Sequence, residues 1–378
     1  MEAPEPKPNE STADQSKPDG LLYHYTDQHG LLGILRSKSI WATHVRYLND
    51  ATEFVHGIKI AMQCVKETKI DAESFFKHRP DSWPRDAPRR VGEILDHYVD
   101  DALARLNNLP VYVTCFFDSE PGDQPSKSQG AGDKLSQWRA YSKGSAGFSI
   151  GFDKGSLQNY IESPGPSREG FVLLAGNCSY DEEEHRRILE KEAANVNSAI
   201  IEILKRILYE CGKGREPNPS RDSMSQAQIA EDKRGSPLPR KEKDQVRRNT
   251  IARELDALTH SIQGIAAGMV IPAAFMKHWA FRDEREWRIA ELCASHPAGL
   301  SLRPGKSSLI PYVPIPLPGL NPDGPSLIRQ IIVGPSPEIE NAVAAAKLLL
   351  TSQGFRVRSS TDEDGIEVLP SRSPYRDW

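Results

Sequence analysis

Two glutamates two positions apart mark the stretch of this chain whose residue types and spacing most strongly indicate chemistry. Glu284 and Glu286 are followed by Trp287, Arg288 and Ile289. Side chains in a β-strand alternate between two faces, so both glutamates and Arg288 would share one face while Trp287 and Ile289 anchor in a core. The two carboxylates would lie roughly 7 Å apart. This spacing suits acid-base or electrostatic chemistry on one small substrate, although a solvated strand face with a diagonal ion pair has the same pattern.

A histidine and a threonine share one face of a short predicted strand near the start of the ordered chain. His24 and Thr26 alternate there with two tyrosines. The imidazole and the hydroxyl would therefore point the same way, where both could hydrogen-bond a ribose or an amide. A histidine whose hydrogen bonds are satisfied at a strand end is the alternative interpretation.

An arginine lies among aromatic residues in the middle of the chain, where Trp138, Arg139 and Tyr141 follow a Gly- and Ser-rich stretch. A planar cation beside aromatic rings suits a phosphate or a stacked base. Trp138 and Tyr141, three positions apart, could instead form one buried helical face with Arg139 in solvent.

Carboxylates elsewhere allow a metal-dependent interpretation. Asp50 and Glu53 could converge with Glu284 and Glu286 on a divalent cation, with Arg139 on a phosphate. A helix start explains Asp50 as a cap and Glu53 as its capping-box partner. The five cysteines are widely separated and have no zinc-site spacing. We therefore assign no residue as a metal ligand.

Several familiar sequence signatures are missing from the chain. It contains no Gly-x-Gly-x-x-Gly or Walker loop, no Gly-x-Ser-x-Gly elbow and no His-Glu-x-x-His pair. This excludes the hydrolases and metalloproteases that such motifs identify. The net charge of −4 provides no overall basic field for nonspecific binding to nucleic acid or a membrane surface.

Predicted strands and helices alternate with short, uneven connections, which favours the α+β class. We expect mixed, largely antiparallel sheets that form a central cleft and are flanked by helices. Residues 1–20 are predicted to be a disordered leader, residues 118–134 a mobile loop and residues 213–248 a charged, disordered insertion. Residues 21–378 would form a single domain, although a chain of 378 residues could also hold two.

The location of the protein is predicted from what the sequence lacks. No apolar run approaches the roughly 20 residues of a membrane helix. The first residues have no apolar segment of the signal-peptide type. Unpaired cysteines suit a reducing compartment. We expect a cytoplasmic protein that makes no membrane contact.

Short motifs are spread along the chain from about Leu21 to the C-terminus. They are Tyr23-His24-Tyr25-Thr26, Trp41-Ala42-Thr43, Leu48-Asn49-Asp50 with Glu53, Ser136-Gln137-Trp138-Arg139-Ala140-Tyr141, Glu284-Arg285-Glu286-Trp287-Arg288, Ile332-Val333-Gly334-Pro335 and Ser373-Pro374-Tyr375-Arg376. As a set they resemble the bacterial domain-of-unknown-function 2971 family, whose name implies no activity.

The early His-x-Thr strand and the late Glu-x-Glu strand are together similar to the layout of ADP-ribosyltransferases. The resemblance implies that His24 positions the nicotinamide ribose of NAD and that Thr26 assists at the ribose. It makes Glu286 the principal catalytic glutamate and Glu284 the carboxylate on the acceptor side.

The aromatic and phosphate contacts to NAD are less clearly matched, because the middle motif of that family has no obvious counterpart. The resemblance implies that Tyr141 or Tyr47 stacks on the nicotinamide. Arg139 is the candidate contact for a phosphate or a base.

The function implied is an ADP-ribosyltransferase-like enzyme that uses NAD as substrate and modifies an unknown macromolecular acceptor, either protein or nucleic acid. Uncontrolled activity of this kind would harm a bacterial cell, which suggests a toxin or a phage-defence effector. A metal-dependent nuclease or phosphodiesterase is one alternative. A non-catalytic sensor or partner-binding module is another.

Overall fold

The structure is a computed structural model that describes part of the chain. The described residues are 20–48, 51–67, 104, 110–119, 130, 132–141, 147–163, 171–212, 249, 253, 268–293, 299–305, 307–317, 320, 326–359 and 365–374. Most of the predicted leader, loop and charged insertion lies outside them, as do Asn49 and Asp50.

The chain divides into two compact units, and each is built from separate stretches of sequence. The first unit comprises Met1–Tyr47, Val111–Cys178 and Ala280–Trp378. The second comprises Leu48–Pro110 and Ser179–Trp279. All ten described strands lie in the first unit.

The first unit is a largely antiparallel sheet with helices, which confirms the predicted α+β class. Its strands are β1 (Leu21–Thr26), β2 (Ser39–His44), β3 (Val111–Asp118), β4 (Phe148–Asp153), β5 (Phe171–Asn177), β6 (Glu286–Cys293), β7 (Ser301–Pro304), β8 (Leu309–Pro316), β9 (Ile328–Val333) and β10 (Glu367–Pro370). Among these strands only the β9–β10 pair is parallel.

Four labelled α-helices belong to the first unit and two to the second. They are α1 (Gln28–Ser37), α2 (Ala51–Glu67), α3 (Leu135–Tyr141), α4 (Lys154–Glu162), α5 (Glu182–Gly212) and α6 (Ile339–Ser352), of which α2 and α5 lie in the second unit. Two 3-10 helices cover Val45–Tyr47 and Trp279–Glu284.

Helix α1 begins at an aspartate cap and ends at a residue with a left-handed backbone. The Asp27 carboxylate accepts a hydrogen bond from the backbone N–H of Gly30 at 2.8 Å, which satisfies one donor that the first turn leaves open. Leu31, Ile34 and Leu35 recur at helical spacing and are buried. The helix ends at Lys38, whose left-handed backbone (φ 52°) stops the hydrogen-bond ladder.

Strand β3 is the centre of the sheet because three strands pair with it. Strand β6 follows one edge from Val111 to Phe117. The other edge is shared: β1 pairs at Phe117 and Asp118, while β2 pairs at Val113 and Tyr112. Strands β4, β9 and β10 continue outward from β1, and β8 and β7 continue from β2. The sheet therefore forks where β1 and β2 part along β3.

The register across β1, β3 and β6 defines two faces. Tyr23 lies opposite Phe117, and Phe117 lies opposite Glu286. Directly opposed residues share a face, so these side chains point to one side, here called the tyrosine face. The next pair along β3 and β6 is Phe116 and Trp287, which point to the other face, here called the core face. Their ring centroids lie 5.5 Å apart.

The core face carries the main hydrophobic core. Its strand residues pack with apolar side chains from α1, α4 and α6, because each of these helices presents one apolar stripe. The helix residues are Leu31, Ile34, Leu35, Leu157, Ile161, Ala346 and Leu350.

The second unit is helical in its described part. Helices α2 and α5 contact each other, and Arg186 of α5 donates to the Glu67 carboxylate at 2.6 Å. This ion pair is exposed to solvent, so it contributes little to stability. Gly57 of α2 allows close approach to Ala273, because an added Cβ would lie 3.1 Å from the alanine side chain.

Core packing on β3 gives a first prediction. Phe116 is buried and its ring contacts those of His24, Phe152 and Trp287. We expect Phe116→Ala to lower the free energy of unfolding by about 3–5 kcal/mol, because truncation leaves a cavity. Leu348→Ala is the control, since Leu348 is 72% exposed and should change the same quantity by no more than about 0.5 kcal/mol. Urea unfolding followed by circular dichroism measures both, and equal effects would contradict this core.

Candidate functional site

A buried ion pair lies at the beginning of β6 on the tyrosine face. Glu286 is 6% exposed and Arg288 is 4% exposed, and Arg288 Nε donates to Glu286 Oε1 at 2.6 Å. Burial alone would lower the pKa of Arg288, but the adjacent Glu286 carboxylate raises it well above its ordinary value. The guanidinium therefore stays charged and fixes the orientation of Glu286.

Two cysteines flank this pair. Cys115 on β3 lies opposite Arg288, and the backbone N–H of Cys178 donates to the Glu286 carbonyl at 2.8 Å. Burial, together with the nearby Glu286 charge, raises the pKa of the Cys115 thiol well above its ordinary value. The Cys115 thiol therefore stays protonated beside the Glu286 carboxylate.

The predicted Glu-x-Glu strand is shorter than expected. Glu284 is the last residue of a 3-10 helix, and β6 begins only at Glu286. Arg285 between them has a left-handed backbone with φ 38°. Strand alternation therefore does not extend to Glu284, and the prediction that both glutamates share one strand face is wrong.

His24 lies on the core face, opposite to the face that carries Glu286. It follows Tyr23 on β1, and its ring packs against Phe116 at 5.6 Å. Its Nδ1–H donates to the carbonyl of Cys115 at 2.9 Å. The register places the two residues one position out of phase, so His24, which the resemblance assigns to NAD positioning, and the catalytic candidate Glu286 lie on opposite faces of the sheet.

Two other candidates also lie away from the Glu286 carboxylate. Thr26 packs on the first turn of α1, where a Cβ at Gly30 would lie 1.8 Å from Thr26 Oγ1. Tyr47 ends a 3-10 helix and is 42% exposed, and its ring lies 5.7 Å from that of His44. Neither residue is brought to the ion pair.

Helix α3 contributes its tyrosine to the tyrosine face. Tyr141 is 39% exposed, and its ring stacks on that of Tyr25 with centroids 6.4 Å apart and an interplanar angle of 28°. Trp138 is fully buried and meets Tyr25 edge-on at 4.9 Å. Arg139 is exposed. Of the predicted NAD contacts, Tyr141 is the one that shares an aromatic cluster with the face of Glu286.

Sequence reasoning missed the aromatic cluster that surrounds this face. Its buried members are Tyr23, Tyr25, Phe117, Trp138 and Ile332. Burial raises the pKa of both tyrosines, so their phenols stay neutral. Alternation along β1 indicated that the tyrosines share a face, but only the register shows that Glu286 lies on the same side.

Asp133 was also missed, and it fixes the segment that leads into α3. It is buried and accepts hydrogen bonds from Trp138 Nε1 at 2.6 Å, Ser371 Oγ at 2.5 Å and the backbone N–H of Arg372 at 2.6 Å. The neighbouring Gly132 carbonyl accepts from the Tyr25 hydroxyl at 2.6 Å. These bonds hold residues 132–138 against the tyrosine face.

The arrangement offers one oriented carboxylate among aromatic rings. Within the described residues, no three side chains of histidine, cysteine, aspartate or glutamate are grouped to hold a metal ion. Asp50 and the side chain of Glu53, which the metal-dependent alternative requires, lie outside the described part. A buried carboxylate can stabilise a nearby developing positive charge, because the surroundings screen it weakly.

The fold and the site define a mixed α+β protein with a largely antiparallel sheet. Residues 137–289 match the family described as Protein of unknown function (DUF2971). This match confirms the family resemblance that the motifs indicate. It covers a shorter range than predicted, from Gln137 at the start of α3 to Ile289 on β6. Neither the curated proteins nor the solved structures contain a match to the chain.

Among the helices that the structure describes, none is long and apolar enough to cross a membrane.

The packing of Gly132 on Tyr23 gives a second prediction. A Cβ added at Gly132 would lie 2.2 Å from the Tyr23 ring, whereas one added at Gly130 meets no atom within 4 Å. We expect Gly132→Ala to lower the free energy of unfolding by about 1–3 kcal/mol through overpacking. Gly130→Ala should leave it nearly unchanged. Chemical unfolding compares the two variants, and the placement of Gly132 is wrong if both behave like the unmodified protein.

The half-buried imidazole of His24 gives a third prediction. Burial lowers the pKa of His24 below its usual value of roughly 6.5, although the Cys115 carbonyl partly opposes this. The unfolded chain then binds more protons than the folded one, so stability is lost as pH falls below about 6.5 and down through the lowered pKa.

We expect His24→Gln to weaken this pH dependence, measured as the change in melting temperature between pH 8 and pH 5. His29→Gln, at an exposed position of α1, is the control and should keep the dependence of the unmodified protein. Equal pH dependence in the two variants would argue against a titrating His24.

Proposed function

We propose that the protein is an NAD-dependent, ADP-ribosyltransferase-like enzyme in which Glu286 is the catalytic carboxylate. The observation that carries the proposal is the Glu286 carboxylate, oriented by Arg288 at 2.6 Å at the start of a buried strand. Cleavage of the nicotinamide glycosidic bond passes through a cation-like transition state, which a fixed anion stabilises.

The proposed reaction needs only NAD and an acceptor. The bond between C1′ of the nicotinamide ribose and the pyridinium nitrogen breaks, and its electron pair leaves with neutral nicotinamide. A new bond forms between C1′ and a nucleophilic atom of a protein or nucleic acid, which releases a proton. Glu284, partly buried just before β6, is the proposed acceptor-side carboxylate.

The aromatic cluster supports a planar ligand beside Glu286. Tyr141 is exposed at the outer end of the ring stack on Tyr25, so the nicotinamide or another flat ring can extend that stack. Arg139, exposed on the same short helix, is the proposed contact for a base or phosphate. His24 and Thr26 have no part in this version, because they pack on the core face.

A cytoplasmic toxin or phage-defence effector is the biological role that this activity would fit. Transfer of ADP-ribose to cellular macromolecules consumes NAD and changes the charge of the acceptor. A cell would therefore need to control such an enzyme closely.

A non-catalytic binding module is the second candidate, and the burial of the ion pair favours it. Glu286 and Arg288 satisfy each other and have little exposure, which is also how a structural pair looks. In that case the exposed rim of the aromatic cluster would bind a partner and no bond would be cleaved.

The test compares two buried glutamates on one strand. Glu286 lies on the tyrosine face, whereas Glu291 is 4% exposed and lies on the core face opposite Tyr112. We expect Glu286→Gln to reduce nicotinamide release from NAD by about 100-fold or more, because it removes the stabilising anion. Glu291→Gln should keep most of the activity. Chromatography of released nicotinamide and transfer of radiolabel from NAD give the rates.

Stability must be separated from chemistry in this test. Glu286→Gln leaves Arg288 buried without its carboxylate, which costs about 3–5 kcal/mol. The double variant Glu286→Gln with Arg288→Met removes both charges and should fold while staying inactive. Unchanged NAD cleavage in a folded Glu286 variant would refute the proposal. Magnesium-dependent cleavage of nucleic acid without NAD would favour a nuclease instead.

A further inference from the structure

We propose that Lys134 and Arg285 form a phosphate-binding subsite on the tyrosine face, beside Glu286. Both cations lie against the ring of Phe117: Lys134 Nζ is 5.5 Å and Arg285 Cζ is 4.9 Å from its centroid. One comes from the segment before α3 and the other from the residue before β6. Two distant parts of the chain therefore bring like charges to a single ring.

The backbone holds both residues firmly. The N–H of Lys134 donates to the Tyr25 hydroxyl at 3.1 Å, and its carbonyl accepts from the N–H groups of Gln137 and Trp138. The carbonyl of Arg285 accepts from the N–H of Asp118 at 2.9 Å. Arg285 has φ 38°, a left-handed conformation that a non-glycine residue keeps only where its surroundings impose it.

The nearby buried carboxylates are already engaged. Glu286 accepts from Arg288, and Asp133 accepts from Trp138, Ser371 and a backbone N–H. Both side chains can donate to an anion at this ring, because an arginine carries five N–H donors and a lysine carries three. The planar fork of an arginine and the point charge of a lysine together suit a phosphate, which offers several acceptor oxygens.

The subsite adjoins the proposed catalytic carboxylate. Phe117 lies directly opposite Glu286 across the β3–β6 pair. A dinucleotide whose ribose lies at Glu286 would carry its pyrophosphate to the neighbouring cations. The place of the subsite in the reaction rests on the proposed function, but anion binding is measured without it.

Calorimetric titration of the full chain with ADP, and separately with inorganic pyrophosphate, tests the subsite. We expect Lys134→Gln and Arg285→Gln each to weaken binding of both probes roughly tenfold, the effect of losing one charge-assisted hydrogen bond. Arg285→Lys keeps the charge and should weaken binding less than Arg285→Gln. Lys347→Gln, at an exposed position of α6, is the matched control and should bind as the unmodified protein does.

The outcomes separate this subsite from the proposed enzyme. Thermal melting identifies any variant that fails to fold. If Arg285→Gln does not fold, the two single variants Lys134→Gln and Arg285→Lys decide whether the subsite exists. The subsite is overturned if the folded Lys134 and Arg285 variants bind both probes like Lys347→Gln, even if Glu286→Gln abolishes NAD cleavage. If the unmodified chain binds the probes, loses binding in those variants and yet cleaves no NAD, the subsite stands and the enzyme proposal fails.

Discussion

One hydrogen bond, from the imidazole of His24 to the carbonyl of Cys115, stands at the point where the sheet forks. One edge of strand β3 pairs with β1 at one end and with β2 at the other. Between Val113 and Phe117, this edge pairs with neither strand. A buried backbone acceptor without a partner is costly, and His24 supplies the donor at 2.9 Å. Both branches of the sheet meet at this junction, so the fold itself explains His24, a residue whose type and position had suggested contact with a ribose.

The register of the three central strands then separates two chemical environments. Opposite Tyr112, the core face has the buried Glu291, and burial raises the pKa of that tyrosine to about 12. The tyrosine face has the Glu286–Arg288 pair and the aromatic cluster. A shift of a single residue in the pairing of β1 with β3 would move the β1 tyrosines to the core face and bring His24 to the face of Glu286. The chemistry available to the protein is therefore set by strand pairing as much as by residue type.

Local patterns in the sequence predicted the elements well and the site only in part. The Asp27 cap, the apolar stripe of α1 and the strand that carries Trp287 follow from spacing alone. The left-handed Arg285 could not be foreseen, because an arginine rarely adopts that conformation. The opposite placement of His24 and Glu286 also escaped prediction, since alternation is a property of one strand and register depends on residues far apart in the chain.

The Asp133 hydrogen bonds have a consequence for the order of folding. Asp133 and its partner Ser371 are 238 residues apart in the chain. At the usual synthesis rate of about 5–20 residues per second, Ser371 leaves the ribosome about 12–48 s after Asp133. During that interval the carboxylate lacks two of its three donors, so the segment before α3 reaches its final packing only after Ser371 and Arg372 have been synthesised. The proposed active face therefore forms later than an element such as α1, whose cap and backbone hydrogen bonds join residues close together in the chain.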